Sequence, residues 1–138
     1  MTAAPDRIHI TTHRLRFNDT DKLGHVNNAV FAVMLEQGRS EFLADVGLPI
    51  GKGAQAVVIA RLELDFVAEM AWPGTVRIET EVARIGTRSF TLRQRLISEG
   101  ILTGKALTVL VVMDRQTRRA VPIDPWRSAL DAWCGPDT

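Results

Sequence analysis

The sequence predicts an α+β domain in which a curved antiparallel sheet wraps around one long helix. Three observations lead there. One apolar run with three- and four-residue steps extends from about Asn28 to Asp45. Four later segments alternate apolar with charged residues at a period of two. Turn-forming clusters separate those segments, so consecutive strands are expected to run antiparallel.

Taken in order, Met1 to Asp6 reads as a short polar tail, and Arg7 to Asn18 as a first strand. Its two alternating sets, Ile8/Ile10/Thr12 and His9/Thr11/His13, both contain polar residues, which suits a strand with part of one face buried. Lys22 to Asn27 is loop, and Asn27 or Asn28 offers a side-chain oxygen to cap the helix that follows. In that helix Val30, Val33, Met34, Phe42 and Val46 make a stripe that Phe31, Leu35 and Leu43 widen. So wide a stripe implies a helix wrapped on most sides. Gly38 allows a close approach from a neighbour, and Gly47 with Pro49 ends the helix. Val58 to Phe66, Val76 to Val82, Phe90 to Leu96 and Leu102 to Met113 are the expected strands. Trp72-Pro73-Gly74, Gly86-Thr87 and Ser98-Glu99-Gly100 are the turns between them. The near-continuous apolar run from Leu107 to Met113 suits a central strand covered on both faces. A short helix is expected from Trp126 to Trp133.

A chain of 138 residues carries one core, and 46% apolar composition argues against disorder. The formal net charge of +1 gives no electrostatic case for nucleic acid or an anionic membrane. One cysteine, Cys134, cannot form an internal disulfide, and no spacing suits a metal site. No stretch approaches the roughly 20 apolar residues of a membrane span, and the first residues lack an apolar signal core. These features imply a cytoplasmic protein.

The chemistry concentrates between the first strand and the long helix: Asp19, Asp21, Gly24, His25, Asn27 and Asn28. The first amides of a helix are unpaired and carry partial positive charge. They favour a nearby carboxylate and can also grip the oxygen of a polarised carbonyl. A carboxylate beside such an oxyanion site is half of an acyl-transfer centre. No GxSxG, P-loop, dinucleotide fingerprint or HExxH pattern is present.

The run Asp19-Thr20-Asp21, Gly24-His25-Val26-Asn27-Asn28, Phe31, Glu36, Arg39 and Phe42-Leu43 resembles the 4-hydroxybenzoyl-CoA thioesterase family of the hotdog superfamily. GHVNN is also similar to the acyl-acyl-carrier-protein thioesterase branch. The resemblance covers about residues 7–125 and implies a single hotdog domain across 1–138. It implies an acyl-thioester hydrolase, most simply an acyl-CoA thioesterase, with coenzyme A as part of the substrate and neither cofactor nor metal. By the same resemblance Asp21 is the catalytic carboxylate, as nucleophile or as general base. The competing reading is a loop carboxylate capping the helix.

Asn28 would supply the backbone amide that polarises the carbonyl, with Gly24 letting the backbone come close. His25 is either a base or a hydrogen-bonded loop residue. Asn27 orients Asp21 or packs the loop. Asp19 has a secondary or turn-stabilising role. Glu36 is a helix acid of the kind some branches use, or an ion-pair partner of Arg39. Arg88 and Ser89 flank a turn that often binds coenzyme A in the family; a solvated turn is the alternative. Phe17 and Phe31 stand where the family commonly has tyrosine, so any contact through that hydroxyl is lost. Homodimers or homotetramers with sites between subunits are implied. Two rival readings are a hotdog enoyl-thioester hydratase and a non-catalytic acyl-CoA binding protein.

Overall fold

The computed structural model describes residues 7–135, which leaves the polar tail outside it. The elements are β1 (His9–Arg14), a 3-10 turn (Phe17–Asp19), α1 (Asn28–Val46), β2 (Gln55–Phe66), β3 (Thr75–Ile85), β4 (Ser89–Ser98), β5 (Ile101–Asp114) and α2 (Asp124–Asp131). The strands form one antiparallel sheet in the order β1-β3-β4-β5-β2, with α1 packed on its inner face. This is the hotdog architecture.

β3, β4 and β5 are the expected meander. The β4–β5 hairpin closes through Glu99 (φ 52°) and Gly100 (φ 74°), a two-residue turn with both central residues left-handed. β2 departs from the expectation of strands joined simply in sequence. It pairs with β5, matching Leu64 to Ala106, and not with β3. The Val67 and Ala68 amides both donate to the Thr103 carbonyl, at 2.8 and 3.1 Å, so the chain leaves the sheet there and crosses beneath α1's first turn to reach β3. A bulge between Ile59 and Arg61 puts Ile59 and Leu62 on the sheet face of their partners Leu110 and Thr108, while both stay exposed at this edge.

β1 is shorter than its alternation suggests. The Arg16 amide donates to Asp19 Oδ2 at 2.8 Å, which curls the chain into the 3-10 turn. His9 and Thr11 point inward while Ile10 is exposed. His9 is wedged edge-on between Phe42 and Trp133, and its Nε2 meets Asp45 at 2.6 Å.

Helix α1 begins where its cap is best satisfied: Asn27 Oδ1 accepts from the Ala29 amide at 2.9 Å. It ends at Gly47, whose φ of 84° is open to glycine at low cost. The stripe does not imply wrapping on most sides after all. Phe31, Met34, Leu35, Gly38, Phe42 and Leu43 face the sheet, but Val33 is more than half exposed. β5 is likewise interior only in its hydrogen bonding, since Lys105 and Leu107 on its outer face are exposed.

The core falls into two apolar clusters. Phe31, Met34, Leu35, Ile78 and Leu96 lie in the one near the start of α1, and Phe42, Val82, Phe90, Leu92 and Leu110 in the other. A polar seam runs between them. Gln94, fully buried, donates to the Leu35 carbonyl and to Thr80 Oγ1, both at 3.0 Å, and Arg39 reaches its Oε1 at 3.5 Å. Gly38 lies directly over this seam.

Candidate active site

The two acids of Asp19-Thr20-Asp21 have opposite fates. Asp19 is 1% exposed and accepts from the Arg16 amide, the Arg16 guanidinium at 3.0 Å and His13 at 3.3 Å. Burial alone would raise its carboxyl, but those partners outweigh it and hold the group below the ordinary value of 3.8. Its role is to pin the turn that presents Asp21. With the folded value depressed, its contribution is complete above the unfolded value and is lost as pH falls through the folded one. Asp19→Asn should therefore cost about 2 kcal/mol near neutral pH and little at about pH 2, read from denaturation curves across that range. A constant difference at every pH would show that the carboxylate's charge is not what counts.

Asp21 is exposed and is aimed by its own loop. Its Oδ1 accepts from the Leu23 amide at 2.9 Å and the His25 amide at 3.3 Å, while its own amide donates to the His25 carbonyl at 2.8 Å. Its Oδ2 has no hydrogen-bond partner among the described residues. One oxygen is thus anchored and the other is open. Gly24, at φ 84°, makes this tight return possible; nothing lies within 4 Å of where its Cβ would be, so backbone shape and not close approach requires it.

The opening turn of α1 lies alongside. The Ala29 amide is taken by the Asn27 side chain and the Val30 amide by the Asn27 carbonyl at 2.9 Å. The Asn28 amide has no partner among the described residues. Asp21, His25 and Asn28 together line a cleft of about 340 Å³, otherwise walled by Leu23, Val26, Phe31, Phe66, Val67, Ala68 and Glu69. Asp21 also borders a second hollow of about 500 Å³ with Phe17, Asn18, Thr20, Lys22 and Asn27. The carboxylate therefore stands on a ridge between two hollows, one of mixed polar and apolar lining that it shares with His25 and Asn28, the other shared with Phe17 and Asn27. With an open amide at the same cleft to hold a carbonyl oxygen, an open carboxylate oxygen can attack that carbonyl or activate water against it.

The other sequence-selected residues lie elsewhere in this chain. Glu36 is exposed on α1 and does not line the cleft. It makes no close pair with Arg39, which turns inward to Gln94; burial pushes the Arg39 guanidinium down and Glu36 acts the other way. Arg88 donates to the Ala120 carbonyl at 3.2 Å. Ser89 is half-buried beside Gly86, whose amide donates to its carbonyl at 2.7 Å. Both sit at the opposite end of β3 from Asp21, and that eleven-residue strand is about 33 Å long. Cys134 is exposed, with its thiol pushed up by burial of the sulfur and by Asp131, and it is remote from the cleft.

Glu69 and Phe66 were not anticipated. Glu69 Oε2 lies 3.0 Å from His25 Nε2, and Phe66 stacks at a tilt on Phe31 with ring centroids 5.1 Å apart. Neither carries a local signal in sequence, because the β2 end reaches the loop only through the fold: the Val26 amide donates to the Met70 carbonyl at 2.9 Å, and His25 bridges to Ala71. Among the described residues no group of three or more His, Cys, Asp and Glu is placed to hold a metal, and no helix is long and apolar enough to cross a membrane.

The geometry has close counterparts. The predicted thioesterase from Bacillus stearothermophilus superposes with a TM-score of 0.87 at 29% identity, over 96% of this chain and 100% of that one. The PA2801 protein from Pseudomonas aeruginosa superposes with a TM-score of 0.82 at 27% identity, over 88% of this chain and 96% of that one. The uncharacterized protein YsmA of Bacillus subtilis is 24% identical over 110 residues, 78% of this chain and 74% of its own. The model of the Thioesterase-like superfamily matches residues 15–133, a span that holds the Asp21 loop, the whole of α1 and the entire sheet beyond β1. With that match added to a hotdog sheet and a carboxylate set beside an open helix amide, the chain belongs to the Thioesterase-like superfamily and is an enzyme of the thioesterase class.

Proposed function

We propose that this enzyme hydrolyses acyl-CoA thioesters in the manner of the 4-hydroxybenzoyl-CoA branch of the hotdog superfamily, as a cytoplasmic homo-oligomer. The observation that carries the reading is the pairing of an Asp21 Oδ2 and an Asn28 amide, both without a partner among the described residues, at the mouth of one cleft. The thioester carbonyl oxygen takes the Asn28 amide. Asp21 Oδ2 then attacks the carbonyl carbon, or removes a proton from the water that does. The C–S bond breaks and the thiolate leaves without needing a metal; on the first route water then cleaves the acyl-Asp21 anhydride to the carboxylic acid and the free carboxylate, and on the second the acid forms directly. The acyl group occupies the side walled by Leu23, Phe31, Phe66 and Val67.

Arg88 and Ser89 become useful in a dimer. β2 is an open edge, and Ile59 and Phe66 on it are about half exposed. Pairing β2 antiparallel with a second copy reverses the partner's sheet. The turn carrying Arg88 and Ser89 of the partner subunit then comes to the end that carries Asp21, three strand spacings or about 14 Å across. A guanidinium there suits a coenzyme A phosphate. Ile59→Asp should yield a monomer by light scattering with at least a tenfold loss of turnover. A wild-type chain that hydrolyses thioesters at full rate as a monomer would overturn the shared site.

Free-thiol release over a panel of aliphatic and aromatic acyl-CoAs tests the reaction itself. Hydration of an enoyl-CoA with the thioester intact would favour the hydratase reading, and saturable binding without turnover would favour a binding protein.

A further inference from the structure

We propose that Phe31, seated on Gly104, fixes how deep an acyl group enters this cleft and so restricts the substrates to short acyl groups. The inference rests on the thioesterase reading and deepens it by naming a substrate class. Burial separates the floor of the cleft from its rim. Asp21, Asn28, Phe66 and Val67 are exposed and stand at the mouth. Val26 and Phe31 line the same cleft but are only 3% and 2% exposed. The Val26 main chain is pinned, since its amide donates to the Met70 carbonyl at 2.9 Å. Phe31 stands three residues past Asn28 on α1, about 4.5 Å along the helix axis. An acyl group whose carbonyl oxygen lies on the Asn28 amide therefore has room for a few carbons before it meets that ring.

The ring cannot yield. Gly104, which pairs with Phe66 between β5 and β2, lies directly against it. A Cβ at Gly104 would lie 3.2 Å from Phe31 Cδ2 and 3.2 Å from Leu96 Cδ1. Phe66 stands beside the ring at a tilt, with centroids 5.1 Å apart. The cluster that holds Phe31 also contains Met34, Leu35 and Leu96, each 0% exposed. A side chain packed in this way moves only if its neighbours move too. An acyl chain that outgrows the cleft turns back into water, and its further methylenes gain no burial. The bare main chain at Gly104 sets the level of the floor. A side chain there would press the ring up into the cleft. A smaller residue in place of Phe31 would open the cleft into the apolar cluster.

The experiment is a chain-length profile of opposed variants. Over straight-chain acyl-CoAs from acetyl to decanoyl, wild-type kcat/KM should rise about fourfold for each methylene that is buried, and stop rising by hexanoyl. Phe31→Ala should move that limit to longer chains and raise the decanoyl-to-butyryl ratio at least about tenfold, the worth of two more buried methylenes. Phe31→Leu keeps more of the packing and should shift the profile the same way by less, so the outcome does not hang on the folding of the alanine variant. Gly104→Ala should shift it the other way, lowering the hexanoyl-to-acetyl ratio about fourfold. A general loss of packing would weaken all substrates alike and leave these ratios unmoved. S-butyl- and S-decyl-CoA thioethers cannot be hydrolysed, and their calorimetric affinities should shift with the same signs. A wild-type profile still climbing at decanoyl, a Phe31→Leu profile identical to that of wild type, or Phe31→Leu and Gly104→Ala shifting in one direction would each overturn the proposal. If wild-type protein cleaves no thioester, the thioesterase reading falls by itself, while the thioether affinities still decide whether Phe31 sets the depth.

Discussion

Asp21→Asn should lower kcat on the best acyl-CoA substrate about 10³-fold, in the range that removal of a general base or nucleophile commonly produces, with folding unaffected. The substitution is nearly isosteric. The asparagine carbonyl oxygen can still accept from the Leu23 and His25 amides that now anchor Oδ1, so the loop keeps its shape. What changes is the other position, where an amide nitrogen replaces the oxygen that has no partner. That nitrogen can neither attack a carbonyl nor take a proton from water. KM should change little, since the apolar walls and the Asn28 amide are untouched. The measurements are steady-state thiol release and a thermal melt. Rates within threefold of wild type would remove Asp21 from the mechanism and return it to the role of a loop cap. A single-turnover reaction in ¹⁸O-water, with hydroxylamine present in a parallel run, then separates the two chemistries: label in Asp21 or a trapped acyl-Asp21 marks direct attack, and label only in the product acid with nothing trapped marks a general base.

Gly38 should be the least replaceable position in the core. A Cβ there would lie 2.5 Å from Ile78 Cγ2 and 3.0 Å from Gln94 Nε2. Gln94 cannot retreat freely, because its amide already bridges the Leu35 carbonyl and Thr80. On helix propensity alone Gly38→Ala would stabilise α1 by nearly 1 kcal/mol. Steric conflict with two immobile neighbours reverses the sign: Ala should cost about 2 kcal/mol and Val more. Lifting α1 from the sheet also displaces its first turn, so the Asn28 amide shifts and turnover should fall alongside stability. Urea denaturation of the two variants checks the first claim, and thiol release checks the second. An alanine variant more stable than wild type would mean that helix and sheet are not in the close contact described.

The local features of this protein were legible from residue order. The cap at Asn27, the stop at Gly47, the hairpin at Glu99-Gly100 and the alternation of Phe90, Leu92, Gln94 and Leu96 each depend on neighbours within a few positions. The same holds for the Asp21 loop, whose anchoring amides come from residues two and four positions on. One local expectation failed: the alternation of β1 promised a strand to Asn18, but a bond from the Arg16 amide to Asp19, three residues on, ends it early. Other expectations failed where the deciding contact is distant. β2 looked like the first strand of a meander, and its partner proved to be β5. The spacing of Glu36 and Arg39 suggested a helix ion pair, yet the arginine found Gln94 across the core.

Residue order by itself determined the helix, the strands and the short loop that turns Asp21 toward the start of α1, because capping, turn and periodicity preferences act over a few bonds. Tertiary structure alone decided that β2 lies at an open edge, that Asp19 is buried while Asp21 is not, and that Glu69 meets His25 across a cleft. Those outcomes depend on how segments some forty residues apart are packed, and packing is settled by the shape of the whole sheet against one helix, which no local pattern encodes.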